Sequence, residues 1–213
     1  MGYTGLMNIR ELRRFGSFHY VTFFFLFTQA IILSSLAFNT ATQVLLLWSC
    51  NNFCFFLAFA CYRRDMQMLM GVSYLGLVAQ MLWAADFLLQ FVGINFSSIS
   101  DYIFTEGFTY ANDVSIGLHL IVPLLILIFS LTTKPTTRSL LYAGGYSAAL
   151  YVATLLMSTS YEDVNCVYNG CNIGINFSYR VFEWPLFAAV AIGASYIIHQ
   201  FLYMGWRWVW KQG

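Results

Sequence analysis

Six apolar stretches of about 20 residues or more divide this chain, and each is long enough, at 1.5 Å of helix rise per residue, to cross a hydrocarbon core roughly 30 Å thick. They run from Ser17 to Phe38, Gln43 to Cys61, Met66 to Val92, Val114 to Thr132, Ser139 to Met157 and Pro185 to Met204. The pattern predicts an all-α fold, a polytopic transmembrane bundle of about six helices forming one integral membrane domain over residues 1–213. Composition agrees. Of the 213 residues, 60% are hydrophobic and 9% charged, against about 25% charged in an ordinary soluble domain. A soluble fold of this length could not hide so much apolar surface.

Basic residues near span ends are retained on the cytoplasmic side, and here alternate connections carry them. Arg10, Arg13 and Arg14 precede the first span, Arg63 and Arg64 follow the second, Lys134 and Arg138 follow the fourth, and Arg207 and Lys211 follow the sixth. Only Arg180 falls on the other side, where Asp101, Glu106, Asp113, Glu162, Asp163 and Glu183 all lie. Both termini are therefore expected in the cytoplasm, and the first span reads as a retained signal anchor in a plasma (inner) membrane. Trp206, Trp208 and Trp210, with Tyr203, form an aromatic belt beyond the sixth span. The formal charge of +1 provides no global field for nucleic acid, so the expected partners are the bilayer itself, a small-molecule or lipid ligand, and further copies or subunits of a membrane complex.

Two long connections face outward, Gly93 to Asp113 and Ser158 to Trp184. Asn95 and Asn176 each begin an Asn-x-Ser sequon there. Cys166 and Cys171 flank an Asn-Gly turn and suit a disulfide if that loop meets an oxidising compartment. Cys50, Cys54 and Cys61 lie within one apolar run and are read as small hydrophobic packing residues. No metal site is expected, since the Cys166/Cys171 spacing lacks a second ligand pair.

Ionisable groups in hydrocarbon cost at least a few kcal/mol and ask for a partner or a purpose. Two lie well inside a span on its outer half, Asp86 and His119. Asp86 should lie roughly 8 to 10 Å, and His119 roughly 6 Å, outside the midplane. A carboxylate and an imidazole at one depth make a proton-exchanging couple, and that pair is the leading site candidate. The alternative gives Asp86 to a neighbouring loop as a hydrogen-bond acceptor and His119 to the capping of its own helix near water. Asn51 and Asn52 at the middle of the second span, with Gln43 at its outer end, are read as interhelical hydrogen-bonding groups. His199, near the inner end of the sixth span, is read as interfacial. No lysine lies within a span to hold retinal, no phosphate loop or hydrolase signature occurs, and no cofactor is implied.

The segments Trp83-Ala84-Ala85-Asp86-Phe87-Leu88, Ser100-Asp101-Tyr102-Ile103-Phe104, Gly117-Leu118-His119 with Pro123, and Asn172-Ile173-Gly174-Ile175-Asn176-Phe177 resemble, in order, the motifs of an uncharacterised family of small bacterial inner-membrane proteins. That family carries a Trp-x-x-Asp pair, an Asp-Tyr-Met-Phe loop, a Leu-Phe-His followed by Pro, and an Asn-Ile-Asn-Trp loop. This chain has Ile103 in place of Met and Gly117-Leu118 before the histidine. The resemblance implies one outward-facing site holding Asp86, Tyr102, His119 and Asn176, and implies no known activity; Trp83 is counted with the site candidates beside Asp86. A weaker likeness joins Tyr20-Val21-Thr22 with Gln29, and His119 with Pro123, to membrane threonine hydrolases of the androgen-induced type. Helix rise sets Thr22 and His119 about 20 Å apart, which argues against that chemistry. Three readings stand: ligand binding or transport at an outer Asp/His pocket, a membrane-embedded hydrolase with a His base and a Thr nucleophile, and a structural subunit of a membrane complex.

Overall fold

The computed structural model describes residues 9–39, 49–94, 100–106, 110–158 and 183–211. Among them the chain forms seven helices and no strand: α1 (Ile9–Asn39), α2 (Ser49–Arg63), α3 (Met66–Phe91), α4 (Asp101–Glu106), α5 (Tyr110–Thr132), α6 (Thr137–Met157) and α7 (Glu183–Lys211). The described part of every predicted apolar stretch falls on one of the six long helices, residues 43–48 of the second stretch lying outside the described residues. The helix satisfies its own backbone amides, which is what hydrocarbon requires of any spanning segment. Three helices contain spans long and apolar enough to cross a membrane, Met66–Phe91, Thr137–Met157 and Trp184–Val209, and shorter apolar stretches cover His19–Ser35 and Ile116–Thr132. Phe24, Leu141, Leu156, Val190 and Phe201 face outward. An apolar exterior on this scale belongs to an integral membrane protein, because water-soluble monomers rarely expose contiguous apolar patches beyond a few hundred Å².

α3 is the hub. It packs against α2, α5, α6 and α7, and its residues Leu69 to Leu75 are buried on all sides without a break. A helix that is apolar all round suits this position, since no side of it meets solvent. At Gly71 the backbones of α3 and α6 come so close that an added Cβ would sit 2.6 Å from Tyr142 Cβ. Only glycine permits that approach. Asp65 starts α3 as its N-cap, accepting from the backbone amides of Gln67 (3.1 Å) and Met68 (3.0 Å). Before it, α2 ends with Arg64 at φ 54° and with the amides of Arg64 and Asp65 donating to Cys61 O (3.1 Å) and Ala60 O (3.0 Å). This is the Schellman closure of a helix, here with arginine at the left-handed position usually given to glycine.

The α2–α3 turn is tied to the α5–α6 turn. Arg138 and the Tyr142 hydroxyl both donate to Asp65 Oδ2, at 2.6 Å and 2.9 Å. Gln67 Nε2 donates to Lys134 O (3.1 Å), and the Thr136 hydroxyl donates to Gln67 Oε1. Arg63, Arg64, Lys134 and Arg138 thus gather at one end of the bundle. Burial would raise the Asp65 carboxyl, but the Met68 amide, the Tyr142 hydroxyl, the Arg138 guanidinium and the Gln67 amide together hold it below the ordinary carboxylate value.

α7 runs to Lys211 rather than ending near Met204, so the aromatic belt is helical. Gly205 does not break it, because one interior glycine costs only about 1 kcal/mol. Trp206 and Trp208 are exposed, and the Arg207 guanidinium lies 5.8 Å from the Tyr203 ring centroid. α4 lies within the long connection after α3. The sequence shows no apolar periodicity there, since six residues make fewer than two turns.

Candidate functional site

Asp86 and Trp83 lie one turn apart on α3 and therefore share a face. The Trp83 ring stacks on Phe87 (5.2 Å, 13° between planes) and carries the His119 ring of α5 at 4.4 Å between centroids. Asp86 and His119 are both buried, at 0% and 8% exposure. The carboxylate and the imidazole of two helices thus lie within a turn of one indole.

Asp86 Oδ2 accepts from the Ser100 amide (3.0 Å), the Ser100 hydroxyl (2.7 Å) and Gln90 Nε2 (3.0 Å). Gln90 Nε2 also approaches Ser100 Oγ (3.1 Å) and Asp101 Oδ1 (2.7 Å). Its two N–H protons are shared among three acceptors, which draws the carboxylates of Asp86 and Asp101 to one amide. Ser100 immediately precedes α4, so Asp86 anchors the start of that helix. Ile103, fully buried, packs α4 onto Trp83 and Phe87, with Ile116 and Leu120 of α5 beside them. α4 is consequently a cover over the C-terminal end of α3, held by one buried carboxylate and one isoleucine.

Gln80 belongs to the same neighbourhood. It lies seven residues before Phe87, almost two full turns, and so points to nearly the same side of α3. Two contacts set the antiparallel register of α3 and α5, Trp83 with His119 and Met70 with Ser130. By that register Gln80 meets α5 near Val122 and Pro123. Gln80 is 1% exposed, and neither its Nε2 nor its Oε1 has a hydrogen-bond partner. Pro123 has no N–H to give the His119 carbonyl. An amide seeking partners therefore lies beside the Trp83/His119 contact, on the side toward the N-terminus of α3. Polarity in the middle of an apolar run was the available signal for this residue.

The remaining candidates lie elsewhere. Asn52 accepts from the Tyr146 hydroxyl and joins α2 to α6. Its neighbour Phe53 packs at Gly76, ten residues or about 15 Å of rise before Asp86, so Asn52 is not part of the Asp86 neighbourhood. Asn51 points about 100° away from Asn52 on the same helix. Tyr102 lies on α4. Gln43, Asn95, Asn176, Cys166 and Cys171 lie outside the described residues, and Cys54 and Cys61 are buried free thiols. Thr22 shares a small apolar cavity with Val122, Ile126 and Phe129. With the His19 ring against Phe129, 5.1 Å between centroids, Thr22 is about 10 Å of rise from His119, well beyond the roughly 3 Å that proton transfer needs. No group of three or more His, Cys, Asp or Glu among the described residues is arranged to hold a metal ion.

A second buried polar cluster, at the basic end, has no counterpart in the sequence reading. His199, expected at the interface, is 0% exposed. Its Nε2 lies 2.7 Å from Thr133 O and its Nδ1 lies 2.6 Å from the Tyr74 hydroxyl. A carbonyl only accepts, so Nε2 carries a proton, and in the neutral ring Nδ1 accepts from Tyr74. The arrangement ties α3, the α5–α6 turn and α7 together. No family model, curated protein or solved structure matches this chain.

Proposed function

We propose that this integral membrane protein binds a small polar or ionisable solute between α3 and α5, at a site formed by Asp86, His119 and Gln80 and covered by α4, with protonation of the Asp86/His119 couple linked to occupancy. The observation that carries the reading is the contact of the His119 ring with the Trp83 ring, 4.4 Å between centroids, one turn from Asp86. A buried imidazole and a buried carboxylate from different spans are functional by default, because each is expensive to keep in hydrocarbon. Gln80 supports the reading as an unsatisfied buried amide on the same wall. The ordered likeness to the small inner-membrane family leads to the same place, with Asp86 and His119 among its motif positions. The gathering of Arg63, Arg64, Lys134 and Arg138 supports a topology of six spans with that end cytoplasmic, which puts the site in the outer half of the bilayer.

This contact supplies its own probe, since a protonated imidazole quenches the emission of an indole in contact with it. In a variant retaining Trp83 as its sole tryptophan, emission should fall on acidification as His119 takes up a proton. Asp86→Asn should displace the midpoint of that fall, as the loss of a neighbouring charge does, and His119→Ala should abolish it. An unchanged midpoint in Asp86→Asn would separate the two groups and remove the proposed site. Solutes screened for thermal stabilisation of the detergent-purified protein should act on the parent and not on either variant.

A further inference from the structure

The faces of α1 and α2 leave between them a cavity of about 430 Å³, within the roughly 300–1,000 Å³ usual for ligand pockets. Its floor is made by two small residues, Ala30 and Ala58, and its walls by aromatic side chains, chiefly Phe23, Phe27, Phe59 and Tyr62. On α1 the lining extends from Phe23 to Ser34, eleven residues or about 16 Å. That is about half of a roughly 30 Å hydrocarbon core, the depth of one leaflet.

One end of this trough is cationic. Arg63 holds its guanidinium 5.9 Å from the centroid of Phe59, a wall residue. Arg64 lies 5.5 Å from the Tyr20 ring, one turn from the wall residue Phe23, and donates to the Tyr20 hydroxyl at 2.6 Å. Phe23 and Tyr62 meet at 5.9 Å, which brings the two helices together where both arginines emerge. The arginine stems lie along apolar rings and their heads reach the polar edge of the trough.

We infer that the α1–α2 trough is a binding site for an anionic phospholipid, with one acyl chain along Ala30 and Ala58 and the phosphate at Arg63 and Arg64. The apolar depth matches one chain in one leaflet, and the charge lies only at the end where that leaflet has its headgroups. Basic residues where helices meet the headgroup layer are the usual receptors for such lipids. The site is separate from the Asp86 neighbourhood and does not depend on it.

Native mass spectrometry of the full-length protein in detergent tests this with dioleoylphosphatidylglycerol and dioleoylphosphatidylcholine as probes. One phosphatidylglycerol per chain should survive activation that strips phosphatidylcholine. Arg63→Gln combined with Arg64→Gln should weaken its retention about thirtyfold, the effect of two basic side chains near an anionic surface. Ile31→Trp, which fills the trough from an exposed lining position, should displace the lipid with both arginines intact. Glycerol 3-phosphate, which keeps the charge without the chains, should not compete. Equal retention of the two lipids, or full retention in the double variant, would overturn the headgroup assignment. Full retention in Ile31→Trp, or competition by glycerol 3-phosphate, would overturn the chain assignment. If the double variant fails to fold, Arg63→Gln alone, which leaves the Arg64–Tyr20 bond in place, decides the headgroup question.

Discussion

Asp65 shows how one carboxylate acts at both the start of a helix and the meeting of two turns. Its carboxyl is held below the ordinary value, so its contribution to stability is complete above the unfolded value of about 3.9 and is lost as pH falls through the folded one. Thermal unfolding followed from pH 6 downward should therefore show a loss below about pH 4 that is reduced in Asp65→Asn; equal slopes in both proteins would count against the network. Gln80 makes the opposite case, a buried amide without partners. Replacing it by leucine should raise stability by about 1–3 kcal/mol, the usual cost of an unsatisfied buried polar group, while weakening solute binding. A neutral or negative effect on stability would mean that its amide is satisfied. Residue roles were only partly legible in the sequence. Asp86 and His119 are conspicuous because charge is rare in apolar runs, whereas His199 is recognised only when Tyr74 and Thr133, far away in the chain, arrive beside it.

At the scale of elements, the apolar periods locate the long helices because bilayer thickness dictates their length. α3 is expected at Met66 to Val92 and found at Met66–Phe91, and α6 is expected at Ser139 to Met157 and found at Thr137–Met157. α4 escapes this logic. It is a short turn of helix held by Asp86 of α3 and by the packing of its own Ile103 on Trp83 and Phe87, rather than by an apolar period. Asp86→Ala should accordingly leave the long helices in place and release this one, with hydrogen exchange across residues 100–106 rising at least about tenfold as the Ser100 amide loses its acceptor. Unchanged protection there would show that α4 is held by other means.

At the scale of the molecule, the central position of α3 could not be read from composition, since every apolar span looks equally fit to be the middle one. What selects it is contact on all sides, and Gly71 marks the tightest of those contacts. Gly71→Ala should separate α3 from α6 and destabilise the protein by about 1–3 kcal/mol or more, as overpacking does elsewhere, measurable as a lowered melting temperature in detergent. Tolerance of alanine without loss would mean that the two helices are not in close contact there.

The bond pattern around His199 also bears on how the protein is made. α7 emerges from the ribosome after the helices it joins, so Tyr74 and the Thr133 carbonyl must wait in the bilayer for their shared partner. A nascent chain halted before that point holds an unfinished polar seam at the basic end of its bundle, which the last helix closes with an imidazole.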